Sequence, residues 1–158
     1  MTGTLALLRD FYRDKLTSVV RHQANARIVG EYEANNTYQY VINREETELA
    51  WIAEAVDALG GTVDDVTAAP PSAAPVDAGA AMANDVREAQ AFVDRWRGPL
   101  DGMVDARYAR MLRVILGEAL EQKRFFEQAL AGRTDLLGRR SAAVGERVGR
   151  VLPTRWIE

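Results

Sequence analysis

Four glutamates in this chain have a spacing that could do chemistry. Glu45 and Glu48, in REETELAW, and Glu118 and Glu121, in GEALEQKRF, each stand three residues apart, and residues so spaced share one face of a helix. The downstream residues correspond as well. Ile52 follows Glu45 by seven positions and Phe125 follows Glu118 by seven, so acids and apolar residue keep a common offset of 73. Carboxylates that converge in a low-dielectric interior repel one another, and they must raise their pKa or share a cation. A pair of divalent metal ions would meet that demand. The chain has no cysteine, so any metal would take oxygen or imidazole ligands.

The elements that must position these acids read as helices. Leu5, Leu8, Tyr12, Leu16, Val19 and Ala26 recur at helical spacing and predict a first helix over 4–29. Gly30 stops it, and Asn35-Asn36 starts a second over 36–59. The stripe of that second helix is Tyr38, Val41, Glu45, Glu48, Ile52, Val56 and Leu59, with carboxylates at two positions where a plain core would place Leu or Ile. A third helix over 80–97 carries Met82, Asp85, Ala89, Phe92 and Trp96, and Gly98-Pro99 with Gly102 makes the turn. A fourth over 104–131 carries Val104, Tyr108, Met111, Ile115, Glu118, Phe125 and Ala129. A short basic helix over 136–151, with Arg139, Arg140, Arg147 and Arg150, offers a solvated face or a subunit contact.

Between the second and third helices lies GGTVDDVTAAPPSAAPVDAG, residues 60–79, without a basic or aromatic residue. Extended, this linker spans up to roughly 66 Å, against about 36 Å for a helix as long as the second. It is long enough for a crossover between parallel helices, or for a hinge that exchanges helix pairs between subunits. No segment alternates as a strand would, so the class is all-α.

Composition narrows the rest. The 158 residues, 47% hydrophobic and 27% charged with a net charge of −3, fit one soluble helical-bundle domain over 1–158. An acidic balance argues against nucleic acid as a partner. No apolar run is long enough to span a membrane, and Leu5 to Leu8 is too short for a signal-peptide core, so a cytoplasmic location is expected. There is no Gly-rich phosphate loop, no Ser-His-Asp arrangement and no dinucleotide fingerprint. The single histidine, His22, excludes a haem held by two histidines of one subunit.

The two Glu-x-x-Glu motifs, with the Pro-rich linker between them, resemble the ferritin-like superfamily. In its bacterioferritin and rubrerythrin type of antiparallel four-helix bundle, a long crossover joins helices 2 and 3, and the second helix of each pair bears Glu-x-x-His. In this chain both expected histidines are glutamates, Glu48 and Glu121, which keeps hard oxygen ligands and suits iron or manganese. The family also places a ligand on the first helix of each pair. A turn near Asn35 sets His22 level with Glu45 and Glu48, and a turn near Pro99 sets Asp85 about one turn from Glu118, with Glu88 and Asn84 as the next candidates.

The resemblance implies a dinuclear metal centre on Glu45, Glu48, Glu118, Glu121, His22 and Asp85, in a homo-oligomer that oxidises Fe(II) or reacts with oxygen or peroxide. The alternative is a metal-free bundle that acts through assembly or a partner. Its inward acids would then be exposed, hydrogen-bonded to Tyr, or paired with Arg44, Arg95 or Arg124. Core packing is the expected role of Phe92, Trp96, Phe126 and the inner tyrosines Tyr12, Tyr38 and Tyr108.

Overall fold

A computed structural model describes residues 3–133 and 135–137. They form four helices: α1 (Thr4–Ala26), α2 (Tyr32–Ala58), α3 (Ala78–Asp101) and α4 (Ala106–Leu130), with no strand among the described residues. Helix α1 packs chiefly on α2 and α3 on α4, while α1 also meets α3 and α2 meets α4. No helix among the described residues is long and apolar enough to cross a membrane. The helix expected over 136–151, with its four arginines, lies outside the described residues beyond Leu137.

Capping chemistry moves the expected boundaries. Helix α2 starts at Tyr32 because the Glu31 carboxylate accepts from the backbone N–H of Glu33 and Ala34. Asn35, expected to start the helix, lies in its first turn and reaches back past the end of α1, its Nδ2 donating to the carbonyls of Ala26 and Val29. Asp77 caps α3 through Ala80 N–H, and Asp105 caps α4 through Arg107 and Tyr108 N–H. Helix α3 runs on through Gly98-Pro99 to Asp101, with Pro99 in its last turn, where a missing N–H and a following stop are tolerated more easily than in mid-helix. Gly60, at φ 84°, and Gly132, at φ 95°, turn the chain just after α2 and α4 in a conformation that glycine adopts freely.

The linker is held along α1. Arg9 donates to both Asp65 carboxylate oxygens at 3.0 and 2.9 Å and to the Thr62 carbonyl. Arg13 Nε reaches the Thr67 carbonyl at 3.1 Å, and Ala69 N–H donates to Thr17 Oγ1 at 2.9 Å. Numbers rise together on linker and helix, so residues 62–69 follow the direction of α1. The helix pairs behave oppositely. Phe11 meets Phe92 and Trp96 while Arg21 meets Asp85, and Tyr38 meets Phe126 while Arg44 meets Glu118.

Two apolar clusters fill the interior. One joins Leu8, Phe11, Ile52, Val56, Phe92, Leu100, Leu112 and Ile115, and the other joins Val29, Tyr38, Val41, Ala81 and Phe126. Each fully buried Leu, Ile or Phe side chain contributes about 1.5–3 kcal/mol. Between the clusters, α1 presents Lys15, Ser18, His22 and Asn25, α2 presents Glu45 and Glu48, and α3 presents Asp85, all buried. A polar layer thus divides the core.

The buried face of α1 runs Leu8, Phe11, Lys15, Ser18, His22, Asn25. That face shares Leu8 with the expected stripe, whose Val19 and Ala26 are also buried, and departs from it at Leu5, Tyr12 and Leu16, which are only partly buried. Val104, expected inside α4, precedes the helix and is exposed, and Leu59 is likewise exposed.

Candidate functional site: a buried charge layer

The heptad-like face of α1 carries a lysine into the core. Lys15 is 1% exposed, and its Nζ lies 3.1 Å from Glu45 Oε2 and 3.0 Å from Glu48 Oε1. Burial works against the ammonium, yet the two carboxylates outweigh it and hold its pKa above the ordinary value. The ammonium also lies over Phe92, with Nζ 5.1 Å from the ring centre.

One ammonium neutralises one carboxylate, and the two glutamates separate accordingly. Burial alone would raise Glu45, but His22 Nδ1 at 2.6 Å and the Lys15 charge overcome it and bring its pKa down to about 2. For Glu48, burial wins. With Glu118 nearby adding to the rise and Lys15 only partly opposing it, Glu48 is pushed up to about 8.

Asp85 forms the other half of the layer. Its Oδ1 accepts from Arg21 Nε at 2.9 Å, and its Oδ2 accepts from Asn25 Nδ2 at 2.8 Å and from the Tyr38 hydroxyl. His22 Nε2 lies 3.5 Å from Asp85 Oδ1, so the imidazole stands between Glu45 and Asp85. Burial and the Asp85 charge raise the Tyr38 pKa, which keeps the phenol a donor. His22 Nε2, Glu45 Oε2 and both Glu48 oxygens are buried without a hydrogen bond of good geometry.

The second pair of acids sits differently. Glu118 is half-buried, and Arg44 holds it with two bonds of 2.7 Å while the guanidinium stacks 5.0 Å from Trp51. Arg44 therefore keeps the Glu118 pKa below its ordinary value despite partial burial. Glu121 is exposed, and the inward position beside it belongs to Gln122. On a helix the residue after an outer-edge position turns about 100° inward, so Glu118-x-x-Glu121 and Glu45-x-x-Glu48 do not present the same face here.

Of the six expected ligands, the fold gathers His22, Glu45, Glu48 and Asp85 in the interior, leaves Glu118 at its edge and leaves Glu121 outside. Glu88 and Asn84 lie partly exposed, Glu88 at 3.9 Å from Arg21 and Asn84 accepting from Arg87. Among the described residues no group of three or more His, Cys, Asp and Glu could hold a metal ion. Of the expected cationic partners, Arg44 does pair with an acid of the motifs. Arg95 pairs with Asp14 instead, and Arg124 is exposed.

Sequence reasoning missed Lys15, Arg21, Asn25 and Gln122. For Lys15 a signal existed: it lies four residues after Phe11 and seven before His22, in register with the true apolar face. Compared with protein-family models, curated proteins and solved structures, the chain matches none.

Proposed function

We propose that this chain is a ferritin-like antiparallel bundle in which a lysine ammonium takes the place of the di-metal centre, and that it acts by binding rather than by metal-dependent oxidation. The observation that carries this reading is Lys15 Nζ, buried between Glu45 and Glu48 at 3.1 and 3.0 Å. The cation that converging carboxylates require is supplied by the chain itself.

The topology half of the proposal rests on the opposed numbering of the α1–α3 and α2–α4 contacts and on the linker contacts that follow α1 from Arg9 to Thr17. These support a crossover of residues 60–79 along the bundle within one chain.

The donor set does not fit an iron or manganese pair. A protonated ammonium cannot ligate, both Asp85 oxygens are taken by Arg21, Asn25 and Tyr38, Glu118 is taken by Arg44, and Glu121 is outside. Metal content of protein purified without chelator, followed by anaerobic Fe(II) and Mn(II) titration with thermal melts, tests the reading. The expected result is no stoichiometric metal and an unchanged melting temperature. About two metals per chain with a raised melting temperature would overturn it.

A further inference from the structure

Two rows of side chains flank the groove between α2 and α4. Tyr40, Arg44, Thr47, Trp51 and Glu54 recur every three or four residues on α2, as do Arg110, Val114, Glu118, Glu121 and Phe125 on α4, so each row follows one face of its helix. Arg44 meets Glu118 across the groove and Tyr40 meets Phe125, which puts both rows on the same side of the bundle. The linker contacts lie on α1, whereas this side opens in a cleft of about 210 Å³ beside Arg44 and Glu118. Val114 is 48% and Tyr40 45% exposed, and Trp51 and Phe125 are only partly covered. Glu54, Arg110 and Glu121 are exposed, and none has an ion pair with a described residue. Arg44 spends Nε and Nη2 on Glu118 and retains Nη1 as a donor.

The contacts across the groove also fix levels along it. With Arg44 opposite Glu118 and Tyr38 opposite Phe126, Glu54 stands level with Arg110, and Trp51 with Val114, yet within one chain the two charges make no pair. A two-fold axis parallel to the bundle lays α2 of one copy on α4 of another at these same levels. Glu54 then meets Arg110, Arg44 Nη1 meets Glu121, and Trp51 and Tyr40 cover Val114 and Phe125, each contact occurring twice. All three unpaired charges gain a partner while Arg44 keeps Glu118. We infer that the α2–α4 face docks a second copy of this chain in a two-fold dimer, α2 of each copy lying on α4 of the other. Helices of 27 and 25 residues are about 40 Å long and together about 20 Å wide, so the face offers about 800 Å² per copy, the size of a standard interface. The apolar side chains supply the affinity, and the charge pairs fix partner and orientation. The surface goes beyond the reading of the buried layer and holds whichever cation neutralises Glu45 and Glu48.

Sedimentation equilibrium of the full chain tests it. A reversible dimer is expected, at twice the chain mass of 17.5 kDa, with a Kd at or below about 100 μM. Glu54→Arg and Arg110→Glu, both at exposed positions, should keep the far-UV circular dichroism of the unmodified chain. Each should weaken the dimer at least about tenfold, because like charges then face each other. Val114→Glu, in the middle of the face, should weaken it as far. An equimolar mixture of Glu54→Arg and Arg110→Glu should recover association to within about threefold of the unmodified chain, since the heterodimer carries one original and one reversed pair, both of opposite sign. A chain that stays monomeric up to about 500 μM, a dimer that none of the variants weakens, or weakening without recovery in the mixture would overturn the assignment.

Discussion

The Lys15 ammonium lies 3.0 Å from Glu48 Oε1, with the two side chains 2% and 0% exposed. A third group, Glu45, shares the same ammonium at 3.1 Å. The lysine is the keystone charge of the layer, since its ammonium meets both Glu45 and Glu48, whereas His22 meets Glu45 and Asp85.

Removing that charge leaves Glu45 buried beside His22 alone. Lys15→Met, close in length and apolar, is expected to lower stability by about 3–5 kcal/mol, measured by urea denaturation at pH 7. Lys15→Met combined with Glu45→Gln and Glu48→Gln should recover a large part of that loss, because neutral groups of the same shape need no counter-ion.

Stability should also peak on the acid side of neutrality, through opposite contributions of two neighbouring glutamates. Glu45 has a folded pKa of about 2 against an ordinary 4.5. Its contribution is complete above 4.5 and is lost as pH falls through about 2. Glu48 has a folded pKa of about 8 against the same ordinary value. Its protonated form stabilises the fold fully below 4.5, and that contribution declines as pH rises, disappearing through about 8. Glu48→Gln should flatten the decline between pH 5 and 9, seen in melting temperatures across that range; a slope equal to that of the unmodified chain would contradict the assignment.

The four motif glutamates are expected to separate by burial. Glu45→Ala should cost about 3–5 kcal/mol by stranding Lys15 and His22. Glu118→Ala, which breaks a half-exposed pair with Arg44, should cost below about 1 kcal/mol. Glu121→Ala should stay within about 0.5 kcal/mol. Chemical denaturation of the three variants ranks them, and equal losses for Glu45 and Glu121 would refute the placement.

Tyr38→Phe removes one of three donors to Asp85 while Arg21 and Asn25 remain. A loss of about 1–3 kcal/mol is expected, and adding Asp85→Asn to the same chain should give a total smaller than the sum of the single losses.

The all-α class, the four helices α1 to α4 and the inward direction of Glu45, Glu48 and Asp85 were legible because apolar spacing brackets the acids with Val41 and Ile52 in α2 and with Met82 and Ala89 in α3; His22 was placed only by its level with Glu45 across the turn, and the fifth helix expected over 136–151 lies outside the described residues beyond Leu137. The partner that neutralises the acids was not. The expected stripe of α1 held Leu8, Val19 and Ala26, which are buried, but ran between them through Tyr12 and Leu16 where the fold buries Phe11, Lys15 and Ser18, and that step hid the lysine. Its long apolar stem lets it occupy a core position that sequence rules assign to solvent. The exposed placement of Glu121 was hidden by its likeness to Glu48 in spacing. Register between helices decides which side of a pair faces in, and Gln122, which takes the inward place, has no sequence pattern to announce it.

The central claim is that Lys15 is the cation of the buried layer, and a double-mutant cycle measures it most directly. Stabilities of the unmodified chain, Lys15→Met, Glu45→Gln and the double variant, obtained by urea denaturation at pH 6 with chelator present, yield the coupling between the two residues. The expected coupling is favourable by at least about 1.5 kcal/mol. Additive losses, with no coupling between Lys15 and Glu45, would contradict the account.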